Sequence, residues 1–298
     1  MEVSFLDLFV SIKMYLKFFF NIKFNKEIKP FKFFPNFLSS KTPKIKGNKL
    51  KNINMIKHGS VWKTTSKFRN KKLIAWVNDY IKHEKKKPII LELGASSGIS
   101  VFPKLKKKNK IKKYFLTDLN LNYFYKRLFN FTLLFSDRRK LIPFMAFNNF
   151  FIFYSDNKSL NIIFSLISYL IRMVISVVSF KIKKIKINLL DNRILFYQSK
   201  YPLFFKEYNI LETWKGLNVN LIIISNLLNY SYFSQNLMKL AVLNVFNSVK
   251  KNSIIIVGDN KKKNKISVFK KKLNKFILLH NEGGMVDSHN IFLNFKKK

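Results

Sequence analysis

The stretch Ile89-Ile90-Leu91-Glu92-Leu93-Gly94-Ala95-Ser96-Ser97-Gly98 decides the fold. An apolar run follows Pro88, reaches an acid, and then breaks into small residues. Continuous apolar runs of this length mark strands buried on both faces, as in parallel sheets. The glycines after it let the chain bend sharply and let a ligand approach the backbone without a Cβ in the way. A helix opening from such a loop would offer free N–H groups and a positive dipole end to a carboxylate or phosphate. The stretch therefore predicts strand, loop and helix in succession.

Working outward, Tyr114–Thr117 reads as the next strand and runs into Leu116-Thr117-Asp118-Leu119-Asn120. An acid at the tip of a second strand, about 20 residues after the loop, is where dinucleotide folds hold ribose hydroxyls. Leu221–Ser225 and Ile254–Val257 are clear strands, and Leu237, Leu240, Ala241, Val242 and Val245 give helical spacing between them. Phe68, Leu73, Ile74, Val77 and Ile81 predict a helix over 67–83. Lys186–Leu190 and Ile194–Tyr197 read as further strands, parts of a hairpin or of one interrupted strand. This alternation predicts an α/β domain with a doubly wound, mostly parallel, Rossmann-like sheet. The tail segments Ile266–Phe269, Phe276–Leu279 and Ile291–Phe295, divided by Gly283-Gly284, predict a terminal antiparallel hairpin on the sheet edge.

Residues 1–57 stand apart as an N-terminal amphipathic helix and a Lys-rich connector broken by Pro30, Pro35, Pro43 and Gly47. Phe5, Leu8, Phe9, Ile12, Leu16, Phe19 and Phe20 share one helical face, which suits either a protein surface or a membrane surface. Residues 58–298 form the expected domain, with an aromatic-rich insertion at about 122–180. Its first part reads as β-rich around Asp137-Arg138-Arg139, and Leu160–Phe180 reads as an apolar helix. That helix is long enough to cross a bilayer, but Arg172 lies inside it. A single crossing would also divide one sheet between two compartments. A buried or interfacial helix is expected instead.

The 298 residues carry a formal charge of +42, almost all of it Lys. Two readings stay open: an anionic partner such as nucleic acid or membrane, or a composition-wide drift toward Lys, Asn, Ile and Phe that coats the surface without a patterned patch. Arg, the better phosphate fork, is scarce. Absent cysteine excludes disulfides, Cys-based zinc sites and thiol nucleophiles, and the four His form no metal-spaced pair. No metal is expected. The N-terminus is a poor signal peptide. A cytoplasmic protein is expected, with peripheral membrane attachment through an incompletely covered Leu160–Phe180 helix as a further expectation.

Four segments, taken in order, resemble class I S-adenosylmethionine (SAM) methyltransferases. Leu91–Gly98 looks like their first motif and Thr117–Asn120 like their second. Asn220–Tyr230 resembles the fourth-strand segment, and Ser248–Asp259 the turn and fifth strand. The resemblance covers roughly residues 58–298 and implies SAM as cofactor. It implies that Glu92 orients the loop and the amino-acid end of SAM. Gly94, Ser96 and Gly98 would line the methionine moiety, with Ala95 in the same loop. Asp118 would take the ribose diol, with Leu119 beside the adenine, and Asn226 would sit at the rim facing the methyl group. Where an adenine-side acid follows the third strand in the family, Tyr197-Gln198-Ser199-Lys200 offers only Ser199. Asn220 also stands where an acid is usual, and Lys251-Asn252 replaces Pro-Gly. The Gly-x-Gly-x-x-Gly spacing of dinucleotide folds is absent, and so is a Gly-Lys-Ser/Thr phosphate loop.

The implied reaction is methyl transfer to a small-molecule or lipid-like acceptor. An RNA methyltransferase drawing on the Lys excess is an alternative, and so is a degenerate, non-catalytic SAM-binding or interaction protein. SAM carries its own activated methyl group, so the protein would hold the acceptor in line and exclude water. The sequence identifies no catalytic base. His58, before Gly59-Ser60-Val61-Trp62, has no visible partner.

Overall fold

The computed structural model describes residues 57–58, 61–62, 70–128, 131–136, 141–147, 150–153, 185–260 and 264–297. The expected N-terminal helix and the apolar segment Leu160–Phe180 lie outside these residues. The chain divides into two compact units, Met1–Lys63 with Asn122–Asn188, and Thr64–Leu121 with Leu189–Lys298.

Along the chain, an antiparallel pair, β1 (Lys57–His58) and β2 (Val61–Trp62), precedes helix α1 (Lys71–His83). Strands β3 (Ile89–Leu93) and β4 (Lys113–Asp118) come next. Then follow β5 (Asn122–Leu128), β6 (Phe131–Ser136), β7 (Leu141–Phe147), β8 (Phe150–Phe153) and β9 (Ile185–Asn188). Helix α2 (Asn192–Gln198) leads to β10 (Leu203–Glu207) and β11 (Val219–Ser225). Helix α3 (Gln235–Ser248) leads to β12 (Val249–Asp259), β13 (Lys265–Lys271), β14 (Phe276–Glu282) and helix α4 (His289–Leu293).

In the first unit, β5 to β9 form an antiparallel sheet in the order β8-β7-β6-β5-β9. The β-rich stretch expected at the start of the insertion is present as β5 to β8. The second unit closes where this excursion leaves and returns: Leu189 N–H donates to Leu121 C=O at 2.9 Å.

The second unit is built on a seven-stranded sheet, β10-β4-β3-β11-β12-β13-β14. The first five are mutually parallel, β13 is antiparallel to β12, and β14 is antiparallel to β13. This is the Rossmann-like, doubly wound sheet with an antiparallel end that the strand pattern predicts. Its parallel strands lie in the sequence order third, second, first, fourth, fifth, so the winding reverses between β3 and β11. Crevices outside the carboxyl ends of strands at such a reversal are where open α/β sheets bind ligands.

The alternation of side chains along each strand makes two cores. Ile90, Tyr114, Leu116, Leu221, Ile223 and Ile256 face one side. There they meet Leu73, Val77 and Ile81 of α1, Val101, Phe102 and Leu105 of the following segment, and Ile194 of α2. Leu91, Leu93, Ile222, Ile224, Ile255 and Val257 face the other, against Met238, Val242, Val245 and Phe246 of α3 and Phe292 of α4. Each fully buried aliphatic side chain contributes roughly 1.5–3 kcal/mol. Ser234 caps α3, its hydroxyl accepting from Leu237 N–H.

Three expectations are corrected. No α-helix opens from the glycine loop; residues 102–104 and 108–110 form 3-10 turns instead. Pro103 has no N–H to bond back to the loop, so it can stand only in the first turn of a helix, and Lys104, Lys106, Lys107 and Lys108 would crowd like charges along one. Ile194–Tyr197 is helix, not strand. Asp191 caps α2 by accepting Arg193 N–H at 3.0 Å, and Ile194 is buried against the sheet. The true third parallel strand is β10, while β9 pairs with β5 in the other sheet. At the C-terminus the hairpin joins β13 to β14 through residues 272–275, Gly283-Gly284 follows β14, and Ile291 lies in helix α4.

Gly98 shows how tightly the loop is seated. Its φ is +76°, and a Cβ there would lie 2.6 Å from Leu116 Cδ1 and 3.1 Å from Ile194 Cγ1. Both the left-handed backbone and the neighbours resist a side chain, so Gly98→Val is expected to cost about 3 kcal/mol. Urea unfolding followed by circular dichroism checks this. A loss below about 1 kcal/mol would mean that the loop can move off the sheet.

Candidate functional site at the carboxyl edge of the sheet

Parallel register brings the tips of β3 and β4 to one edge. Ile89 pairs with Lys113 and Glu92 with Leu116, so Gly94 and Asp118 emerge together. The loop then arches across to β4. Ala95 N–H donates to Thr117 C=O at 2.9 Å, and Ser96 N–H donates to Asp118 Oδ2 at 2.7 Å. Thr117 Oγ1 donates back to Glu92 C=O at 2.7 Å. Gly94, Ser96 and Gly98 all have positive φ, which turns successive N–H groups toward the β4 tip. The other carboxylate oxygen of Asp118 accepts Asn120 N–H at 3.3 Å. Leu119 stands next to it, 44% exposed.

Glu92 lies wholly inside the core. Its Oε2 accepts the Tyr114 hydroxyl at 2.6 Å, while Oε1 is buried with no hydrogen-bond partner. Burial pushes its pKa up to about 7; the Tyr114 bond opposes this and the charge of Asp118 adds to it. Burial also raises the Tyr114 hydroxyl well above its ordinary value. Ser96 Oγ is a second buried polar atom without a partner.

On the far side of the reversal, Asn226 follows β11 with φ +53°. Its N–H donates to Gly258 C=O at 2.8 Å, and its Oδ1 accepts Asn260 N–H at 2.8 Å. The Asn70 amide donates to Ser225 Oγ, and the Asn260 amide donates to Asn70 Oδ1. These amides tie the tips of β11 and β12 to the start of α1. Leu227 closes the gap toward β3: a Cβ on Gly94 would lie 3.0 Å from its Cδ2. Asn220, where the resemblance expects an acid, accepts Ile89 N–H at 3.0 Å. An amide oxygen satisfies that need as well as a carboxylate would.

Glu92, Gly94, Ala95, Ser96, Gly98, Asp118, Leu119 and Asn226 therefore share the carboxyl edge of the sheet. Ser199 does not. It follows α2 and precedes β10, at the amino edge, where its hydroxyl donates to Phe196 C=O at 2.8 Å. Its placement rested on reading Ile194–Tyr197 as the third strand. The acid that does end the third strand is Glu207, in register with Asp118 and accepting Leu121 N–H at 2.9 Å. The signal was present in Leu203-Phe204-Phe205-Lys206-Glu207, a short apolar run closing on an acid. Asn70 and Asn260 carried no local signal, since they meet across 190 residues of chain. Among the described residues no group of three or more His, Asp or Glu is placed to hold a metal, and no helix is long and apolar enough to cross a membrane.

No protein-family model matches this chain, and no curated protein matches it. Solved structures are similar at low identity. One is an amino pentose methyltransferase from Micromonospora echinaspora, solved with SAM bound, at 7% identity over 70% of this chain and 65% of that one, TM-score 0.32. Another is a putative sarcosine dimethylglycine methyltransferase from Galdieria sulphuraria, at 9% identity over 63% and 44%, TM-score 0.32. A third is the CurJ carbon methyltransferase, at 12% identity over 63% and 34%, TM-score 0.32. The chain thus spans between 34% and 65% of the length of these three proteins.

Glu92 gives a pH-dependent prediction. The folded chain keeps its proton up to about pH 7, whereas the ordinary value is 4.5. The folded state therefore binds more protons between these limits, and stability from this group falls as pH rises through the window. The loss is on the order of 3 kcal/mol by pH 8. Glu92→Gln cannot ionise and should lack this component. The difference in unfolding free energy between wild type and variant, measured from pH 4 to 8, should change in the variant's favour. A pH-independent difference would remove the buried-acid account.

Proposed function

We propose that this chain is a SAM-dependent methyltransferase acting on a small-molecule or lipid-like acceptor. One observation carries the reading: at the reversal of winding, a loop with three positive-φ residues arches from the β3 tip to the carboxylate that ends β4. The polar atoms there fit the cofactor. Glu92 Oε1 and Ser96 Oγ are buried polar atoms without partners, and the amino-acid end of SAM carries both an ammonium group and a carboxylate to meet them. Asp118 stands at the β4 tip beside the loop, where the resemblance puts the ribose diol. Gly94 has no Cβ, which would meet the Leu227 side chain.

In this reading Glu92, Gly94, Ala95, Ser96 and Gly98 hold the amino-acid end of the cofactor. Asp118 and Leu119 hold the ribose and adenine side, and Glu207 replaces Ser199 as the acid beyond the third strand. When bound, SAM supplies a methyl group already activated on its sulfonium. The chain's own task is to position an acceptor and keep water out. Asn226, fixed by Asn260 N–H and by the Gly258 carbonyl, stands across the crevice from Gly94 as a rigid polar rim. A cytoplasmic setting with peripheral membrane contact belongs to the same proposal and would suit a lipid-like acceptor.

Calorimetric titration with SAM tests this on paired variants. Asp118→Ala should weaken binding by about 1–3 kcal/mol, the scale of lost hydrogen bonds to a charged group. Asp118→Asn keeps an acceptor for Ser96 N–H and should lose less. Equal affinities for all three proteins would take Asp118 out of the site. Absence of SAM binding to the folded wild type would leave a non-catalytic interaction role.

A further inference from the structure

A groove of about 730 Å³ opens on the α1 face of the second unit, between α1 and the 3-10 segment that follows the glycine loop. Its rim is cationic: Lys71 and Lys82 from α1, Lys104, Lys106 and Lys107 from the segment opposite, and Arg193 from the start of α2. Arg193 is already engaged by the Asp191 carboxylate at 2.8 and 3.0 Å. The only carboxylate among the lining residues is Asp79, which lies 3.2 Å from the His83 ring. Five lysines thus line a concavity that holds one acid. The crowding is felt locally: burial, and then the charge of Lys71, lower the pKa of Lys104. A uniform lysine coat over a convex surface would keep such charges apart in water.

The apolar lining decides what kind of anion fits. The apolar part of the lining is Ile74, Ala75, Ile99 and Pro103, of which Ile74 and Ile99 are buried, and no aromatic ring lines the groove. Single-stranded nucleic acid is held by stacking on aromatic faces, which this groove does not provide. An aliphatic chain would bury against these side chains while its charged head met the lysines. The volume suits one small ligand rather than a polymer.

We propose that this groove binds an aliphatic phosphate, with the phosphate on Lys104, Lys106 and neighbouring lysines and the chain on Ile74, Ile99 and Pro103. The proposal does not depend on methyl transfer and is tested without it. Octyl phosphate, octanol, inorganic phosphate and a short single-stranded oligonucleotide would be titrated into the full chain below micelle-forming concentration. Saturable binding of octyl phosphate is expected, weakened by salt. Lys104→Glu and Lys106→Glu should each weaken it by roughly tenfold, about 1.4 kcal/mol. Lys251→Glu, at an exposed position within β12, should leave it unchanged. Circular dichroism on each variant separates loss of the groove from loss of the fold. No saturable binding, equal binding of octanol or of inorganic phosphate, tighter binding of the oligonucleotide, or indifference to both groove variants would each overturn the assignment.

Discussion

The pairing of β3 between β4 and β11 is the constraint on which the site depends. A strand with parallel neighbours on both sides and helices over both faces must be apolar along its length, and Ile89–Leu93 is, except at Glu92. Because β4 and β11 flank β3 on opposite sides, the connection from β3 to β4 and the one from β11 to β12 leave in opposite senses, and a crevice opens between them at the carboxyl ends. The glycine loop sits in that opening. Placing an acid inside such a strand is costly, and the protein offsets the cost only in part. Tyr114 donates to one oxygen, the other is left bare, and the carboxyl responds by holding its proton up to about pH 7.

The same edge shows how one side chain can serve fold and ligand together. Asp118 receives the Ser96 amide and so holds the loop in its left-handed turns. That bond pre-orders the loop, which lowers the entropic cost of any ligand the loop receives. It also means that substitutions at Asp118 report on loop geometry as well as on binding, which is why the alanine and asparagine changes differ in what they remove. The amide cluster of Asn70, Asn226 and Asn260 plays the corresponding part on the β11 side.

How much of this was legible follows from the range over which each decision is made. Ile89–Gly98 was readable because a doubly buried strand and its glycine turn are local facts. Helices α1 and α3 were readable because Leu73-Ile74-Val77-Ile81 and Leu237 to Val245 repeat at helical spacing. Asn192–Gln198 misled because Ile194, Leu195, Phe196 and Tyr197 prefer strands when taken alone. The Asp191 cap and the burial of Ile194 beneath Gly98 override that preference. The consequence reaches the site: a third strand at Ile194–Tyr197 would put Ser199 at the carboxyl edge, whereas β10 puts Glu207 there. The helix expected after the glycine loop failed for a different reason. The glycines mark the turn itself, at positive φ, but Pro103 and the lysine run beyond it oppose an α-helix after it. The polar ties through Asn70 and Asn260 join residues far apart in the chain, and no periodicity announces them.

Hydrogen–deuterium exchange on the full chain, with and without saturating SAM, tests the central claim most directly. The account predicts slowed exchange in peptides covering 93–99 and 118–121, with the β13–β14 hairpin unchanged. Exchange unaltered at both of those segments, or slowed only elsewhere, would contradict a cofactor site at the carboxyl edge of β3 and β4.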